Sequence, residues 1–166
     1  MVLPDNVLFQ DNDGQKVRAD LMDKCNLHTI LRLPTGIFYA QGVKTNVLFF
    51  ERGKTDKGNT PGVWFYDLRS DMPSFGKRTP FTTSYFEDFI KAYTAANRSA
   101  IVDKRWNYLS REDIKQKNDS LDLGLIADES LSNAENLGEP AEIAEEVLAE
   151  LEEITLSLKA ILKELN

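Results

Sequence analysis

The sequence predicts an α/β fold, in which a helix and a short loop connect strands of one sheet. Residues 15–24 carry Val17, Leu21 and Met22 at helical spacing, which predicts an amphipathic helix. Two apolar segments follow, LHTILRLP and VKTNVLFFER, and both are rich in residues that favour strands. A helix that joins buried strands in this order is typical of an α/β sheet near its edge.

The strands can be placed in order from their boundaries. The N-terminal run VLPDNVLF is interrupted by a Pro-Asp-Asn turn, so we interpret it as the end of a strand that begins before residue 1. The strand that starts near Leu27 should end at Pro34, because proline cannot donate to a sheet. The strand over residues 43–52 contains the continuous apolar run 47–50, as expected when both faces are covered.

The middle of the chain predicts one more strand and two helices. A polar loop over residues 51–62 leads into VWFYDLR, a further strand, and residues 69–83 should be irregular. A helix then runs through YFEDFIKAYTAA, capped by Thr83 or Ser84. Its apolar face consists of Phe86, Phe89, Ile90 and Tyr93. Ser110 and Asp113 have the spacing of a capping box and predict the second helix.

The net charge of -7 is unevenly distributed along the chain. Residues 1–110 contain 15 Lys and Arg against 12 Asp and Glu, whereas residues 111–166 contain 5 against 15. The first part tolerates a polyanion nearby, and the acidic second part suits a protein partner or solvent. A stand-alone nucleic-acid binder is therefore disfavoured, since phosphate contacts supply most non-specific affinity.

Residues that usually carry chemistry are scarce. The single Cys25 cannot form an internal disulfide, and the only histidine, His28, has no second ligand or nucleophile near it in sequence. No Walker loop, zinc spacing or nucleophile elbow is present, and we expect no metal site. No apolar run is long enough to span a membrane, and no secretory signal precedes the first strand, so a cytoplasmic location is expected.

The most regular periodicity lies at the C-terminus. Residues 127–139 form an acidic segment with glycine and proline, interpreted as a linker, and residues 140–166 are predicted to form a heptad helix. Its seam is Val147, Leu151, Ile154, Leu158, Ile161 and Leu165. Leu148 and Leu162 widen this stripe, which favours a bundle with another protein over a simple dimer. The alternative is that the helix packs on its own domain.

One long string of residues resembles a known family. VLPDNVLF, a helix containing Arg18, and NLHTILRLPTGIFYAQGVKTNVLFFERG closely resemble the C-terminal part of the modification (M) subunit of type I restriction-modification enzymes. These subunits are adenine-specific DNA methyltransferases. A looser resemblance continues through VWFYDLR, the FEDFIKAY helix and the C-terminal helix. The likeness therefore extends over essentially the whole chain.

The resemblance implies a fold and a division of the chain. We expect the C-terminal part of a class I S-adenosylmethionine-dependent methyltransferase sheet, which is Rossmann-like and mostly parallel, followed by an α-helical tail. VLP would end a central strand, and VKTNVLFF would be the antiparallel strand. Residues 1–69 would belong to this α/β domain, 70–126 to a helical or irregular extension, 127–139 to the linker and 140–166 to a subunit-docking helix.

The resemblance also gives a role to the loop between LHTILRLP and VKTNVLFF. Adenine methyltransferases flip the target base out of the duplex and hold it between apolar or aromatic faces. Phe38 matches the stacking residue of related enzymes, with Tyr39 as the alternate, while the competing interpretation is that Phe38 covers the edge of the sheet. Lys44 and Thr45 are candidate contacts to the DNA backbone.

The chain also departs from the family. The glycine-rich motif for S-adenosylmethionine and the Asn-Pro-Pro-Phe/Tyr motif are absent, so no catalytic residue is expected and the chain alone should be inactive. The intact enzyme would use S-adenosyl-L-methionine and bind DNA, a specificity (S) subunit and a restriction (R) subunit. The alternative function is a non-catalytic interaction module that binds a specificity subunit or itself through the heptad helix. Self-association of the chain is expected.

Overall fold

The computed structural model describes residues 1–38, 42–73, 75–76 and 78–123. They belong to a compact unit that extends over Met1–Ile126. The predicted linker and heptad helix, over residues 127–139 and 140–166, lie outside the described residues. The division of the chain at residue 69 stays a prediction.

The described residues form five strands, four α-helices and two 3-10 helices. In chain order these are β1 (Val2–Pro4), α1 (Asn6–Phe9), α2 (Asp13–Lys24), β2 (Cys25–Leu33), β3 (Thr45–Arg52), β4 (Gly62–Asp67), a 3-10 helix (Thr83–Phe86), α3 (Glu87–Thr94), a 3-10 helix (Arg98–Ala100), β5 (Trp106–Ser110) and α4 (Arg111–Gln116).

The five strands form one sheet in the order β1-β3-β2-β4-β5. Strand β3 is antiparallel to both of its neighbours, β4 is parallel to β2, and β5 is antiparallel to β4. This part of the sheet is therefore mixed rather than mostly parallel. The reason is that β2 and β3 are joined by a short loop, which can connect only antiparallel neighbours. A central position for β1 in a larger sheet stays a prediction, because β1 is an edge strand here.

Apolar side chains cover both faces of the sheet, as predicted from the run 47–50. On one face Leu48 belongs to a buried cluster, against which Phe50 packs. On the other face Val47 and Phe49 pack against a second buried cluster, which includes Tyr66. The alternation follows from the period of two along a strand.

Two predicted apolar helix positions are wrong. Val17 of α2 is 65% exposed and Ile90 of α3 is 52% exposed. The buried residues of α2 are Arg18 and Met22, while Phe89 and Ala92 are buried in α3. Spacing alone cannot reveal that an arginine takes an inward position, because the carbonyls that accept its hydrogen bonds all lie outside its own helix.

The end of the described region contains one element that was predicted and one that was not. Ser110 and Asp113 form the predicted capping box at the start of α4, with both reciprocal hydrogen bonds present. The residues before it, Trp106 to Ser110, form β5 and extend the sheet beyond β4. Among the described residues no helix has the length and apolarity to cross a membrane.

Candidate functional site

The candidate site lies where strand ends meet at one edge of the sheet. The carboxyl ends of β1, β2 and β4 are adjacent there, because β1 and β2 are each antiparallel to β3, and β4 is parallel to β2. Ligand sites of α/β sheets lie preferentially at such carboxyl ends. The loop over residues 34–44, here called the aromatic loop, emerges from this edge between β2 and β3.

Phe38 lies on the described part of the aromatic loop and is exposed. Its exposed fraction is 44%, whereas the preceding Ile37 packs against the buried cluster on one sheet face. The loop therefore changes from a partly buried to an exposed side chain between these two neighbouring residues. Tyr39, the alternate stacking residue, lies outside the described residues.

Lys44 and Thr45 follow the aromatic loop at the start of β3. Lys44 is half-buried, and its carbonyl accepts a hydrogen bond from the Asp5 amide at 2.9 Å. Thr45 is only 9% exposed, and its buried hydroxyl has no hydrogen-bond partner among the described residues. A contact between the Thr45 hydroxyl and DNA would therefore require this group to become accessible. Both contacts stay predictions.

The buried side chain of Arg69 joins the strand ends at this edge. Its Nε donates to the Leu33 carbonyl at 2.9 Å, and its Nη2 donates to the Thr45 carbonyl at 3.1 Å. The two terminal nitrogens also form a bidentate pair with Asp5, at 2.9 Å from Nη1 to Oδ2 and 2.7 Å from Nη2 to Oδ1. The guanidinium therefore contacts residues of β2 and β3 and the turn after β1.

Asp5 is the acidic partner in this network. Asn46, which is fully buried, donates from Nδ2 to Asp5 Oδ1 at 2.6 Å. Burial by itself would raise the pKa of the Asp5 carboxyl, but the hydrogen bonds from Arg69 and Asn46 and the positive charge of Arg69 lower that pKa below its usual value. Asp5 is consequently a carboxylate at neutral pH, which compensates the buried charge of Arg69.

A second buried ion pair extends the network toward β4. Arg32 Nη1 lies 3.1 Å from Asp67 Oδ2, and both side chains are nearly inaccessible. Asp67 Oδ1 accepts a hydrogen bond from the Arg69 amide at 3.0 Å. Sequence reasoning had missed these residues. The available signal was that charged residues directly follow two apolar strands, in the strings PDN and DLR.

A close backbone contact holds the first half of the aromatic loop. Gly36 has a φ of +78°, and a Cβ atom added there would lie 2.1 Å from the Phe75 carbonyl oxygen. Only glycine accommodates both the positive φ and this approach. The ring of Phe75 in turn makes edge contacts with Phe81 and Tyr85, with centroids 4.9 and 5.0 Å apart.

The described residues do not fit a site for S-adenosylmethionine or a metal. The turn after β1 consists of Asp5 in a helical conformation and leads directly into the four-residue α1, without a glycine-rich turn. Within the described ranges no group of three or more His, Cys, Asp and Glu side chains is placed to hold a metal ion.

The other titratable residues singled out in the sequence lie away from this network. His28 Nδ1 is 3.0 Å from Thr29 Oγ1, and burial followed by the positive charge of Arg98 lowers the pKa of the imidazole. Cys25 is a half-buried free thiol at the start of β2. The predicted seam of the heptad helix, from Val147 to Leu165, lies outside the described residues.

Comparison with known protein families identifies the family of this chain. A family model described as N-6 DNA methylase matches residues 1–133. The chain belongs to the N-6 DNA methylase family. The methylase subunit of the type I restriction enzyme EcoKI from Escherichia coli (strain K12) is 44% identical, over 100% of this chain and 38% of the relative. The chain thus spans well under half the length of this curated relative.

Solved structures of this family have the same fold. The crystal structure of the EcoKI M protein superimposes with a TM-score of 0.63 at 45% identity, covering 72% of this chain and 32% of that chain. A chain from a type I R-M system, solved to explain complex assembly and conformational transition, gives 0.66 at 30% identity, covering 99% of this chain and 34% of that chain. The predicted α/β methyltransferase fold is confirmed.

Proposed function

We propose that the chain corresponds to the C-terminal part of a type I M subunit, and that its aromatic loop contributes to the target-base site. The intact subunit would transfer a methyl group from S-adenosyl-L-methionine to the exocyclic amine of adenine in DNA. The proposed contribution of this chain is the stacking of Phe38 on the flipped adenine. Stacking on an aromatic side chain is worth roughly 1–3 kcal/mol per base.

The observation that carries this proposal is the exposure of Phe38 at the carboxyl edge of the sheet. A phenylalanine that only covered the sheet edge would gain from burial, as Ile37 does. Phe38 is instead 44% exposed, five residues after Leu33, whose carbonyl accepts a hydrogen bond from the buried Arg69. An accessible aromatic ring on an anchored loop is what a base-stacking residue requires.

Lys44 is the proposed contact to the DNA backbone. It stands at the end of the aromatic loop, and its carbonyl accepts a hydrogen bond from the Asp5 amide at 2.9 Å. Phosphate contacts of this kind fix the register of a protein on the duplex without reading its sequence. Thr45 is a weaker candidate for a contact to the DNA backbone, because its hydroxyl is buried.

The partners proposed for the intact enzyme are a specificity subunit, a restriction subunit and DNA. The proposed location of the intact enzyme is the cytoplasm. The strong acidity of residues 111–166, with 15 Asp and Glu against 5 Lys and Arg, favours a protein partner over DNA for this part. The heptad spacing supports docking through Val147, Leu151, Ile154, Leu158, Ile161 and Leu165. The same spacing supports the second candidate function, a non-catalytic module that binds a specificity subunit or itself.

Methyl transfer tests the proposed function. Labelled S-adenosylmethionine and adenine-containing duplex DNA are incubated with the chain alone, and with the chain plus a separately expressed remainder of the M subunit and a specificity subunit. Activity is expected only in the reconstituted mixture. Absence of activity there, while an intact control enzyme works, would favour the interaction module.

Phe38→Ala in the reconstituted enzyme tests the stacking role. Fluorescence of 2-aminopurine at the target position reports base flipping, and we expect the flipped population to fall about tenfold, as loss of one stacking contact implies. Phe9→Ala is the matched control, because Phe9 is 47% exposed on α1. Equal fluorescence for both variants and the wild type would exclude Phe38 as the stacking residue.

A further inference from the structure

We propose that Arg69 is a positioning residue that sets the place of Phe38 by holding both stems of the aromatic loop. The stems are residues 34–38 and 42–44. The role in base flipping rests on the proposed function of the loop. The positioning itself rests on the hydrogen bonds of the guanidinium and can be tested separately.

The acceptors of Arg69 flank the aromatic loop on both sides. Leu33, the last residue of β2, accepts from Nε at 2.9 Å immediately before the first stem. Thr45, the first residue of β3, accepts from Nη2 at 3.1 Å immediately after the second stem. One planar group therefore bridges the two points at which the loop leaves and re-enters the sheet, where Leu33 and Thr45 are also strand partners.

Asp5 connects the same group to the turn after β1. Its carboxylate binds Arg69 in a bidentate manner, and its amide donates to the Lys44 carbonyl at 2.9 Å. The second stem is therefore held twice, by the Asp5 amide and by the Arg69 side chain. The network is buried, since the Arg69 side chain is only 3% exposed.

Arginine is required here for its shape as well as its charge. Five N–H groups in a rigid fork can satisfy acceptors on three sides, whereas a lysine ammonium presents three donors at one point. Arg69→Lys would keep the positive charge near Asp5 but could not reach the Asp5 carboxylate and both carbonyls together. The stems would lose part of their anchorage while the ion pair survived.

The position of Phe38 depends on this anchorage because the guanidinium bonds to Leu33 and Thr45, the residues at which the loop leaves and re-enters the sheet. The first stem is also held by the packing of Ile37 against a buried cluster and by the close approach of Gly36 to the Phe75 carbonyl. Phe38 follows two residues later and projects from the surface. A shift of about 1 Å at the stems is passed directly to its ring, and such misplacement of a positioning group can cost about 100-fold in rate.

Hydrogen exchange of this full chain tests the anchorage without any activity. In Arg69→Lys, peptides covering the stems should exchange about tenfold faster, because charge-assisted hydrogen bonds are lost locally. Peptides covering α2 and α4 should keep the wild-type rate. Arg98→Lys is the matched control, because Arg98 also donates from Nε to a carbonyl, that of Tyr93, at 3.0 Å.

Kinetics of the reconstituted methyltransferase test the consequence for the base. Arg69→Lys should lower kcat about 10- to 100-fold, with KM for DNA within about twofold of wild type, because only the flipped base contacts Phe38. Arg98→Lys should change neither constant. A general loss of stability would instead reduce the active fraction and would speed exchange in the peptides covering α2 and α4 as well.

Each outcome decides a separate claim. Wild-type exchange of the stems in Arg69→Lys would overturn the positioning role, whatever Phe38→Ala does. Faster exchange of the stems with unchanged kcat would overturn the link to the base while leaving the anchorage. Faster exchange together with a kcat loss, in an enzyme in which Phe38→Ala has no effect, would support Arg69 and refute stacking by Phe38.

Discussion

At the scale of single residues, buried arginines organise this fold by bonding to backbone carbonyls. Arg18 of α2 is 4% exposed and donates from Nε to the Asp119 carbonyl at 2.8 Å. Its Nη1 donates to the carbonyls of Val7 and Gln10, at 2.9 and 2.8 Å. The side chain thus joins the end of α1 to the segment that follows α4, which is more than 100 residues away in sequence.

Replacing Arg18 by methionine should destabilise the described unit. Methionine retains most of the aliphatic stem, but three carbonyls lose their donor, and unsatisfied buried acceptors cost about 1–3 kcal/mol each before relaxation. We expect the free energy of unfolding in urea to fall by about 2–4 kcal/mol, at the upper end of single substitutions. The midpoint should shift while the slope of the transition stays constant.

The control for Arg18→Met is Lys16→Met on the same helix. Lys16 is 78% exposed and pairs with Asp13 three residues earlier. Exposed pairs of this kind contribute at most about 1 kcal/mol, so this variant should unfold close to the wild-type midpoint. Equal midpoints for the two variants would refute the role of Arg18.

At the scale of elements, the start of α4 shows how a local signal fixes a boundary. Ser110 is the last residue of β5 and also the cap of α4. The Asp113 amide donates to the Ser110 hydroxyl oxygen at 3.1 Å, and Asp113 Oδ2 accepts from the Ser110 amide at 3.2 Å. The cap thereby turns the chain from the sheet edge and places Ile114 in the core.

Ser110→Ala should lower the free energy of unfolding by about 1 kcal/mol, the usual cost of a lost helix cap. The reason is that the Asp113 amide loses its hydroxyl acceptor, while the hydrogen bond from the amide of residue 110 to the Asp113 carboxylate and the packing of Ile114 are retained. Urea denaturation followed by circular dichroism measures this change. The control is Ser99→Ala, which replaces an exposed serine that forms no capping box. This variant should change the free energy of unfolding by no more than about 0.5 kcal/mol. A loss as large as that of Ser110→Ala would contradict the role of the Ser110 cap.

The elements that the sequence predicted are those with local causes. The spacing of Ser110 and Asp113, the proline after β2 and the apolar run of β3 each act within a few residues, and all three were placed correctly. Strand β5 was missed because its pairing depends on β4, across a long irregular segment. Arg69 was missed for the same reason, since its acceptors lie 23 to 64 residues away.

At the scale of the whole molecule, the two ends of the chain differ in what they can bind. Residues 1–110 carry a net charge of +3 and include the exposed Phe38 and the start of β3, whereas residues 111–166 carry a net of -10. Because an acidic segment repels the phosphate backbone, the proposed function predicts that DNA approaches the first part. The heptad periodicity of the acidic part instead predicts contact with helices of another protein.

One substitution in the predicted seam tests whether the acidic part of the chain binds helices of another protein. Leu158→Glu places a charge in the seam and should abolish co-elution of the chain with a specificity subunit, and also any self-association, because an unpaired charge is costly to bury. Ala160→Glu adds the same charge two residues away and outside the seam, so it should leave both associations intact. Size-exclusion chromatography with light scattering gives the masses. A strictly monomeric wild-type chain that does not co-elute, or equal behaviour of the two variants, would refute docking through the seam.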